Sequence, residues 1–347
     1  MPFVKCVSFH SISKPILAPD ICTLHSYKMR MGLIYCQATL KSFDEAKYTL
    51  DPQTGIEDVF EAVQSGRAHY GVVPYENSTN GSVNVTLNLL RDVPSRHSDI
   101  LVCGEAYVDV HHCLLGRARN VASSLKPNST SGASAVNKPR AEPLSDLQHI
   151  KLLYSHPQAW TQCTAFLETY LSHAKREDAT STSKAAELVA SDTSGTTAAI
   201  SSEIAASVHK LDFLAKNIED SHDNTTRFLV LRKGPSIKDA SRPPTPSTET
   251  ANEQRRRYKS LITFTVKHDD PGALASALAV FKPYGINLTN IEKRPSGEAP
   301  FHYLFFVEVL GKREEGEEGA VNAALRDLER VTGTWRWLGS WESRWNA

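Results

Sequence analysis

Residues 71–83 read GVVPYENSTNGSV, an apolar run that ends at Pro74 and is followed by small polar residues and one acid, Glu76. A short continuous apolar run is typical of a strand that is buried on both faces of a sheet. In open α/β sheets, ligands bind beyond the carboxyl ends of such strands, where the N–H groups of the next helix are free. We therefore interpret the polar residues as a turn between a strand and a helix, which either binds a ligand or, as such turns commonly do, only caps the helix.

Two further turns have the same character. In LLYSHPQAW, Ser155 and His156 follow a strand-like run and precede a proline, which is a favoured first helical residue. In DNTTRFLVL, Thr226 and Arg227 open an apolar strand. Polar turns of this kind suit a small anion with several charges. A catalyst built from them would act mainly by orientation and electrostatics.

Strand and helix signals alternate around these turns. LDPQTGIEDVFEAVQSG contains Thr54 and Glu57 as a predicted capping box, then apolar residues at helical spacing, and Gly66 as a stop signal. The Ala-rich residues 182–210 predict packed helices. The alternation predicts an α/β domain with helices on both sides of its sheets.

Composition narrows the possible classes of protein. The chain has 347 residues, of which 40% are hydrophobic, so it is long enough for two domains. With 39 basic and 39 acidic residues, the charge balance indicates neither a nucleic-acid nor a membrane partner. The six cysteines lack CxxC or metal-ligand spacing, which predicts free thiols, no metal site and a cytoplasmic protein. No apolar stretch approaches the roughly 20 residues that span a bilayer.

Two segments are rich in Ser, Pro, Thr and charge, and we predict that both are disordered. Residues 116–147 lie between strand-like runs, so we interpret them as a surface insertion. Residues 234–257 form the predicted linker between domains. Beyond it, strand and helix signals follow the order βαββαβ, which is the ferredoxin-like plan, with Asp270 expected to cap the first helix.

Together, the three turns resemble prephenate dehydratase. GVVPYENSTNGSV is similar to the family's G-V-V-P-x-E-N-S-x-x-G-x-V segment, YSHPQAWTQC to its S-H-P-Q-x-x-x-Q-C segment, and NTTRFLVL contains its T-R-F signature. The resemblance implies a two-lobed catalytic domain, similar to periplasmic binding proteins, that needs no cofactor. The boundaries that follow are an unmatched segment 1–34, a catalytic domain 35–233, a linker 234–257 and a regulatory domain 258–347; lobe 1 would hold about 35–107 and 206–233, and lobe 2 about 108–205.

The resemblance also implies site residues. The expected catalytic residues are Thr226, Glu76, Asn77, Ser155 and Gln162, and the expected substrate-binding residues are Ser78, Thr79, Gly81, Ser82, His156, Arg227 and Phe228. Prephenate loses its ring carboxylate as CO2 and its C4 hydroxyl as water, so we expect Thr226 to donate a hydrogen bond to the leaving oxygen. Glu76 is either an acid whose pKa is raised by burial or a carboxylate satisfied by N–H groups at a helix start.

The C-terminal segment resembles an ACT domain, a regulatory module that binds small molecules. GAL at 272–274 matches one ACT motif, and IEKRP at 291–295 matches the E-S-R-P motif with Lys293 in place of Ser. The resemblance implies feedback inhibition by phenylalanine at a dimer interface, in a homodimer or homotetramer. The expected effector residues are Gly272, Ala273, Leu274, Glu292, Arg294 and Pro295.

The amino terminus departs from the family pattern. MGLIYCQATLKSF retains only a trace of the family's first segment, and its glycine–proline turn is absent. Loss of a first strand would expose a sheet edge near the substrate. Two alternatives to a prephenate enzyme therefore stay open: an arogenate dehydratase, and an amino-acid sensor with a degenerate cleft. A hydrolase based on Ser155 and His156 is disfavoured because adjacent residues rarely face each other.

Overall fold

The computed structural model describes residues 20–24, 32–44, 46–118, 138–234, 257–315 and 318–344. Most of the predicted insertion and linker, at 119–137 and 235–256, lies outside the described residues. The chain separates into two compact units, one built mainly from residues 108–225 and the other from 20–24, 38–107 and 226–344.

In chain order the elements are β1 (Asp20–Leu24), α1 (Gly32–Ser42), β2 (Thr49–Gln53), α2 (Ile56–Gln64), β3 (Tyr70–Asn77), β4 (Gly81–Ser82), α3 (Asn84–Arg91), β5 (Ile100–Asp109), β6 (Cys113–Gly116), β7 (Leu152–Ser155), α4 (Pro157–Gln162), α5 (Thr164–Tyr170), β8 (Lys175–Asp178), α6 (Thr182–Ser191), β9 (Thr197–Ser201), α7 (Glu203–His209), β10 (Asp212–Ala215), β11 (Thr225–Lys233), β12 (Tyr258–Thr265), α8 (Ala273–Ala279), a 3-10 turn (Lys282–Tyr284), β13 (Leu288–Pro295), β14 (Tyr303–Leu310), α9 (Ala320–Val331) and β15 (Trp335–Glu342).

The first sheet carries two of the three predicted turns. Its strand order is β2-β1-β3-β11-β5, with the short β4 paired to β3. The strand β1 runs parallel between β2 and β3, so a first strand is present in this sheet although the family's glycine–proline turn is absent from the sequence. Residues that match no family segment supply this strand, because backbone pairing needs an extended chain and no particular motif.

The helix α2 covers this sheet with the buried side chains of Val59, Phe60 and Val63. Its cap lies one residue later than predicted. Gly55 is the N-cap, and the carboxylate of Asp58 accepts a hydrogen bond from the Gly55 N–H at 2.9 Å. The predicted pairing of Thr54 with Glu57 is therefore wrong, because the acid three residues beyond the true cap is Asp58.

The second sheet has the order β10-β6-β9-β7-β8 and belongs to the unit of residues 108–225. Two sequence predictions are corrected here. The Ala-rich stretch contains a strand, β9, between two helices; its alanines are buried because the central strand of a covered sheet favours small apolar residues. Residues 206–224 belong with this lobe, since β10 pairs antiparallel with β6. Its core includes Leu153, Phe166, Ile200 and Leu214.

The C-terminal sheet is antiparallel with the order β13-β14-β12-β15, which confirms the predicted βαββαβ plan. Helices α8 and α9 contribute Ala277, Leu325 and Leu328 to a core that also contains Phe264 and Val307. The N-cap of α8 is Gly272, in the left-handed conformation with φ of 88°, so the expectation that Asp270 caps this helix is wrong.

Cys113 and Cys163 are free and buried, and burial raises the pKa of the Cys113 thiol to about 11. Among the described residues, no helix is both long and apolar enough to cross a bilayer.

Candidate active site

A hydrogen bond joins the two polar side chains at the end of β3 and the start of β11. In the antiparallel register, Asn77 lies opposite Thr226, and its Nδ2 donates to Thr226 Oγ1 at 3.0 Å. The Asn77 Oδ1 accepts from the backbone N–H groups of Thr79 and Asn80 at 3.0 and 2.9 Å. The amide is therefore held at both ends. Because an amide nitrogen only donates, Thr226 is an acceptor in this bond and its hydroxyl proton is left for another acceptor.

The turn after β3 is a hairpin rather than the direct start of a helix. Gly81 and Ser82 form β4, which pairs back onto Asn77 and Glu76, and α3 begins only at Asn84. Gly81 has φ of 74°, a left-handed conformation that glycine adopts at little cost. The predicted helix start at this turn is therefore displaced by the hairpin.

Arg227 and Glu76 belong to a buried ion cluster. Arg227 Nη1 contacts Glu76 Oε1 at 3.0 Å, and Nη2 contacts Glu105 Oε2 at 2.7 Å and a carboxylate oxygen of Glu308. Lys259 Nζ lies 3.3 Å from Glu105 and 3.4 Å from Glu308. Glu105 and Glu308 are essentially inaccessible to solvent, with side-chain exposures of 0% and 2%.

Neighbouring charges favour the ionised forms of Glu105 and Arg227 in this cluster. Burial by itself opposes the charge on Glu105, but Arg227 and Lys259 outweigh it and hold the pKa of the carboxyl below its ordinary value. Burial likewise lowers the pKa of Arg227, yet Glu308 and Glu105 raise it above its ordinary value overall. Removal of one charge from such a cluster leaves its buried partners uncompensated, so we expect the loss of Arg227 to destabilise the strand that carries Thr226.

Glu76 has both carboxylate oxygens occupied from within the protein. Arg227 contacts Oε1, and Asn290 Nδ2 of β13 donates to Oε2 at 2.9 Å. Side chains of the protein therefore contact both oxygens of this carboxylate. Of the two interpretations from sequence, the structural one is favoured, with side chains in place of helical N–H groups.

The strand β13 contacts the predicted substrate-binding segment at further points. The Ser82 hydroxyl donates to Glu292 Oε1, and the Arg294 guanidinium donates to Asn84 Oδ1 and Asn88 Oδ1, each at 2.8 Å. Arg91 donates to the carbonyl of Pro295. Three of the predicted effector residues thus lie against the catalytic lobe in this unit.

The third predicted turn lies in the unit of residues 108–225. Ser155 is fully buried at the end of β7, and its hydroxyl donates to the Ile200 carbonyl at 2.9 Å. His156 is the N-cap of α4, and its Nδ1 accepts from the Gln158 N–H at 3.3 Å. Gln162 ends this helix, with its Oε1 at 2.7 Å from His112 Nε2. That these groups and Thr226 share one substrate stays a prediction.

Comparison with known proteins identifies the family. The sequence model of the prephenate dehydratase family matches residues 35–236. The chain belongs to this family. It is 33% identical over 308 residues to the prephenate dehydratase of Methanocaldococcus jannaschii, a match that covers 88% of this chain and 93% of that protein. It is 36% identical over 306 residues to a bifunctional chorismate mutase/prephenate dehydratase of Aquifex aeolicus, covering 88% and 69% respectively.

A solved structure shows the same relationship. The prephenate dehydratase of Arthrobacter aurescens, determined in complex with L-Phe, superposes with a TM-score of 0.70 at 26% identity and covers 93% of this chain and 90% of that one. Within the described part of this chain, no group of His, Cys, Asp or Glu residues is arranged to hold a metal ion.

Two expectations for the substrate-binding residues need correction. Phe228 is fully buried in the core, and Arg227 is only 4% exposed and is neutralised by carboxylates of the protein, so neither side chain is presented to a substrate. The T-R-F signature therefore supplies Thr226 as the polar group, while its other two residues hold the strand in place.

Sequence reasoning missed the partners that hold these residues. Glu105, Lys259, Asn290 and Glu308 lie in strands whose apolar alternation gave no reason to single them out. His112 was available as one of two histidines in VDVHHCLLG, a polar pair at the start of a buried strand.

Proposed function

We propose that this chain converts prephenate to phenylpyruvate, CO2 and water. The carboxylate leaves as CO2, its bonding electrons enter the ring, and the C4 hydroxyl leaves as water with one proton taken from solvent. The observation that carries the proposal is the Asn77–Thr226 hydrogen bond, which leaves the threonine hydroxyl proton to be donated to the departing oxygen. We infer prephenate as the substrate because the chain belongs to the prephenate dehydratase family.

In this proposal the side chains act by position rather than by proton transfer. Asn77 orients Thr226, and the Glu76–Arg227 pair holds both strands in register. Gln162, in the unit of residues 108–225, is the proposed substrate contact there, whereas the buried Ser155 donates its hydroxyl to the Ile200 carbonyl and supports the end of β7. A threonine hydroxyl is a weak acid, so Thr226 stabilises the leaving group by a hydrogen bond that strengthens in the transition state.

Purified protein incubated with prephenate, and separately with arogenate, tests the activity. We expect phenylpyruvate from prephenate, measured chromatographically, and little phenylalanine from arogenate. Faster turnover of arogenate would reassign the substrate. A folded sample that converts neither prephenate nor arogenate would overturn the proposal and favour the alternative of an amino-acid sensor.

We further propose that residues 258–344 form an ACT domain through which phenylalanine inhibits the enzyme. Support comes from the βαββαβ topology and from the L-Phe complex of the Arthrobacter relative. An added Cβ at Gly272 would meet no atom within 4 Å, so open space adjoins the start of α8. Phenylalanine binding at such a site could shift β13, and β13 contacts the predicted catalytic segment directly. Asn290 donates a hydrogen bond to Glu76, and Glu292 accepts one from Ser82.

Phenylalanine titration of Asn290→Ala and Asn287→Ala tests this route. Both are asparagines at the start of β13 or just before it, but Asn287 is exposed whereas Asn290 donates to Glu76. We expect Asn290→Ala to raise the phenylalanine concentration for half-inhibition about tenfold, which corresponds to a coupling of about 1.4 kcal/mol. Asn287→Ala should match the wild type. Equal inhibition of all three proteins would exclude this route, and an uninhibited wild type would exclude the regulatory proposal alone.

A further inference from the structure

Gln162 is held at two points by a small frame of residues that its family motif does not include. Its backbone carbonyl accepts from the Asp220 N–H at 2.7 Å, and its side-chain Oε1 lies 2.7 Å from His112 Nε2. His112 is only 6% exposed, whereas Gln162 is half-buried. The histidine therefore supports the glutamine from the interior.

The chemistry of this contact fixes the position of one proton. A carbonyl oxygen can only accept a hydrogen bond, so the imidazole must carry a proton on Nε2. Burial lowers the pKa of His112, which keeps the ring neutral with a single proton at pH 7. The Gln162 Nε2 group makes no hydrogen bond to the part of the chain that the structure describes. Its two N–H bonds remain as donors for an anion.

The backbone of His112 is held at both its N–H and its carbonyl group. Its backbone N–H donates to Glu219 Oε2 at 2.9 Å, and its carbonyl accepts from the Ile218 N–H at 3.0 Å. Glu219 is buried, and its other carboxylate oxygen lies 3.2 Å from His111 Nδ1. These bonds fix the backbone of His112, and the ring itself is buried and contacts Gln162 through Nε2.

We propose that His112 is a positioning residue for the dehydration, acting through Gln162. By donating to Oε1 it keeps the amide NH2 of Gln162 directed at the substrate. A rotation of the amide by half a turn would present a carbonyl oxygen to a dianion and replace attraction by repulsion. This inference rests on the proposed function, which takes Gln162 as a substrate contact.

Two variants of His112 separate positioning from mere packing. In His112→Gln, the amide nitrogen can occupy the place of Nε2 and donate to Gln162. In His112→Asn, the amide nitrogen takes the place of Nδ1 and is too far from Gln162 Oε1 to donate to it. We expect His112→Asn to lower kcat/KM for prephenate by about tenfold or more, and His112→Gln to stay within about threefold of the wild type. Equal losses in two variants that are folded by circular dichroism would overturn the proposal.

A double-mutant cycle with Gln162→Ala provides the second test. If His112 acts through Gln162, then His112→Asn causes no further loss of kcat/KM in the Gln162→Ala background. Losses that multiply would show independent roles and overturn the inference. Imidazole 15N NMR gives a readout that needs no turnover: a neutral His112 protonated on Nδ1 contradicts the inference, whereas a wild type without turnover contradicts the proposed function.

Discussion

Replacement of Thr226 by valine is the most direct test of the candidate active site. Valine has nearly the shape of threonine and shares its β-branched preference for strands, so β11 should form as before. Only the hydroxyl is lost, and with it the acceptor for Asn77 Nδ2 and the proposed donor to the leaving oxygen.

The structure separates the expected effects on stability and on rate. Thr226 is half-buried, so the Asn77 amide that loses its acceptor can bond to water, and we expect a loss of about 1 kcal/mol in the free energy of unfolding. Loss of one donor to a transition-state oxygen typically costs about 10²–10³ in kcat. KM should change little, because the bond to the leaving oxygen is much weaker before it departs.

Initial rates of phenylpyruvate formation across a range of prephenate concentrations give kcat and KM for each variant. Thr226→Ser is the matched control, because it keeps the hydroxyl; we expect it within about tenfold of the wild type, allowing for the greater rotational freedom of serine. A Thr226→Val protein that is folded and turns over at the wild-type rate would refute the assignment of Thr226. A rise in KM with kcat unchanged would show that Thr226 binds substrate and takes no part in the chemistry.

Two further predictions concern buried charge. Arg227→Met removes the cation that Glu76, Glu105 and Glu308 share and leaves Lys259 beside the last two, so we expect the free energy of unfolding to fall by about 3–5 kcal/mol, measured by urea titration. Arg330→Met, at an exposed ion pair with Asp327, is the control and should change the urea midpoint little; similar midpoints for both variants would contradict the structural role of the cluster. The second prediction is a pH dependence that arises from His112. Burial lowers the pKa of His112 in the folded chain. Below about pH 6.5 the unfolded chain therefore binds a proton on this histidine more readily than the folded chain does. The free energy of unfolding then falls as the pH falls, by at most about 1.4 kcal/mol per pH unit. Urea midpoints between pH 7 and 5 should decline less steeply in His112→Gln, and an unchanged slope would show that His112 is not the group responsible.

Local patterns in the sequence determined the elements and the polar turns of this protein. The apolar run before Glu76, the proline after His156 and the βαββαβ order beyond the linker each depend on neighbouring residues, and the structure confirms all three elements. The Ala-rich strand β9 was missed because alanine favours helices locally, and only burial between two other strands overrides that preference.

Tertiary structure alone decided which side chains meet. Asn77 and Thr226 are 149 positions apart, and only the antiparallel register of β3 and β11 brings them within a hydrogen bond. Arg227 was predicted from sequence to bind the substrate, but in the structure it binds the carboxylates of Glu105 and Glu308 in the protein itself. A motif specifies the chemistry of a side chain, whereas the partner of a long, charged side chain depends on strand pairing and domain packing, which short-range patterns do not encode.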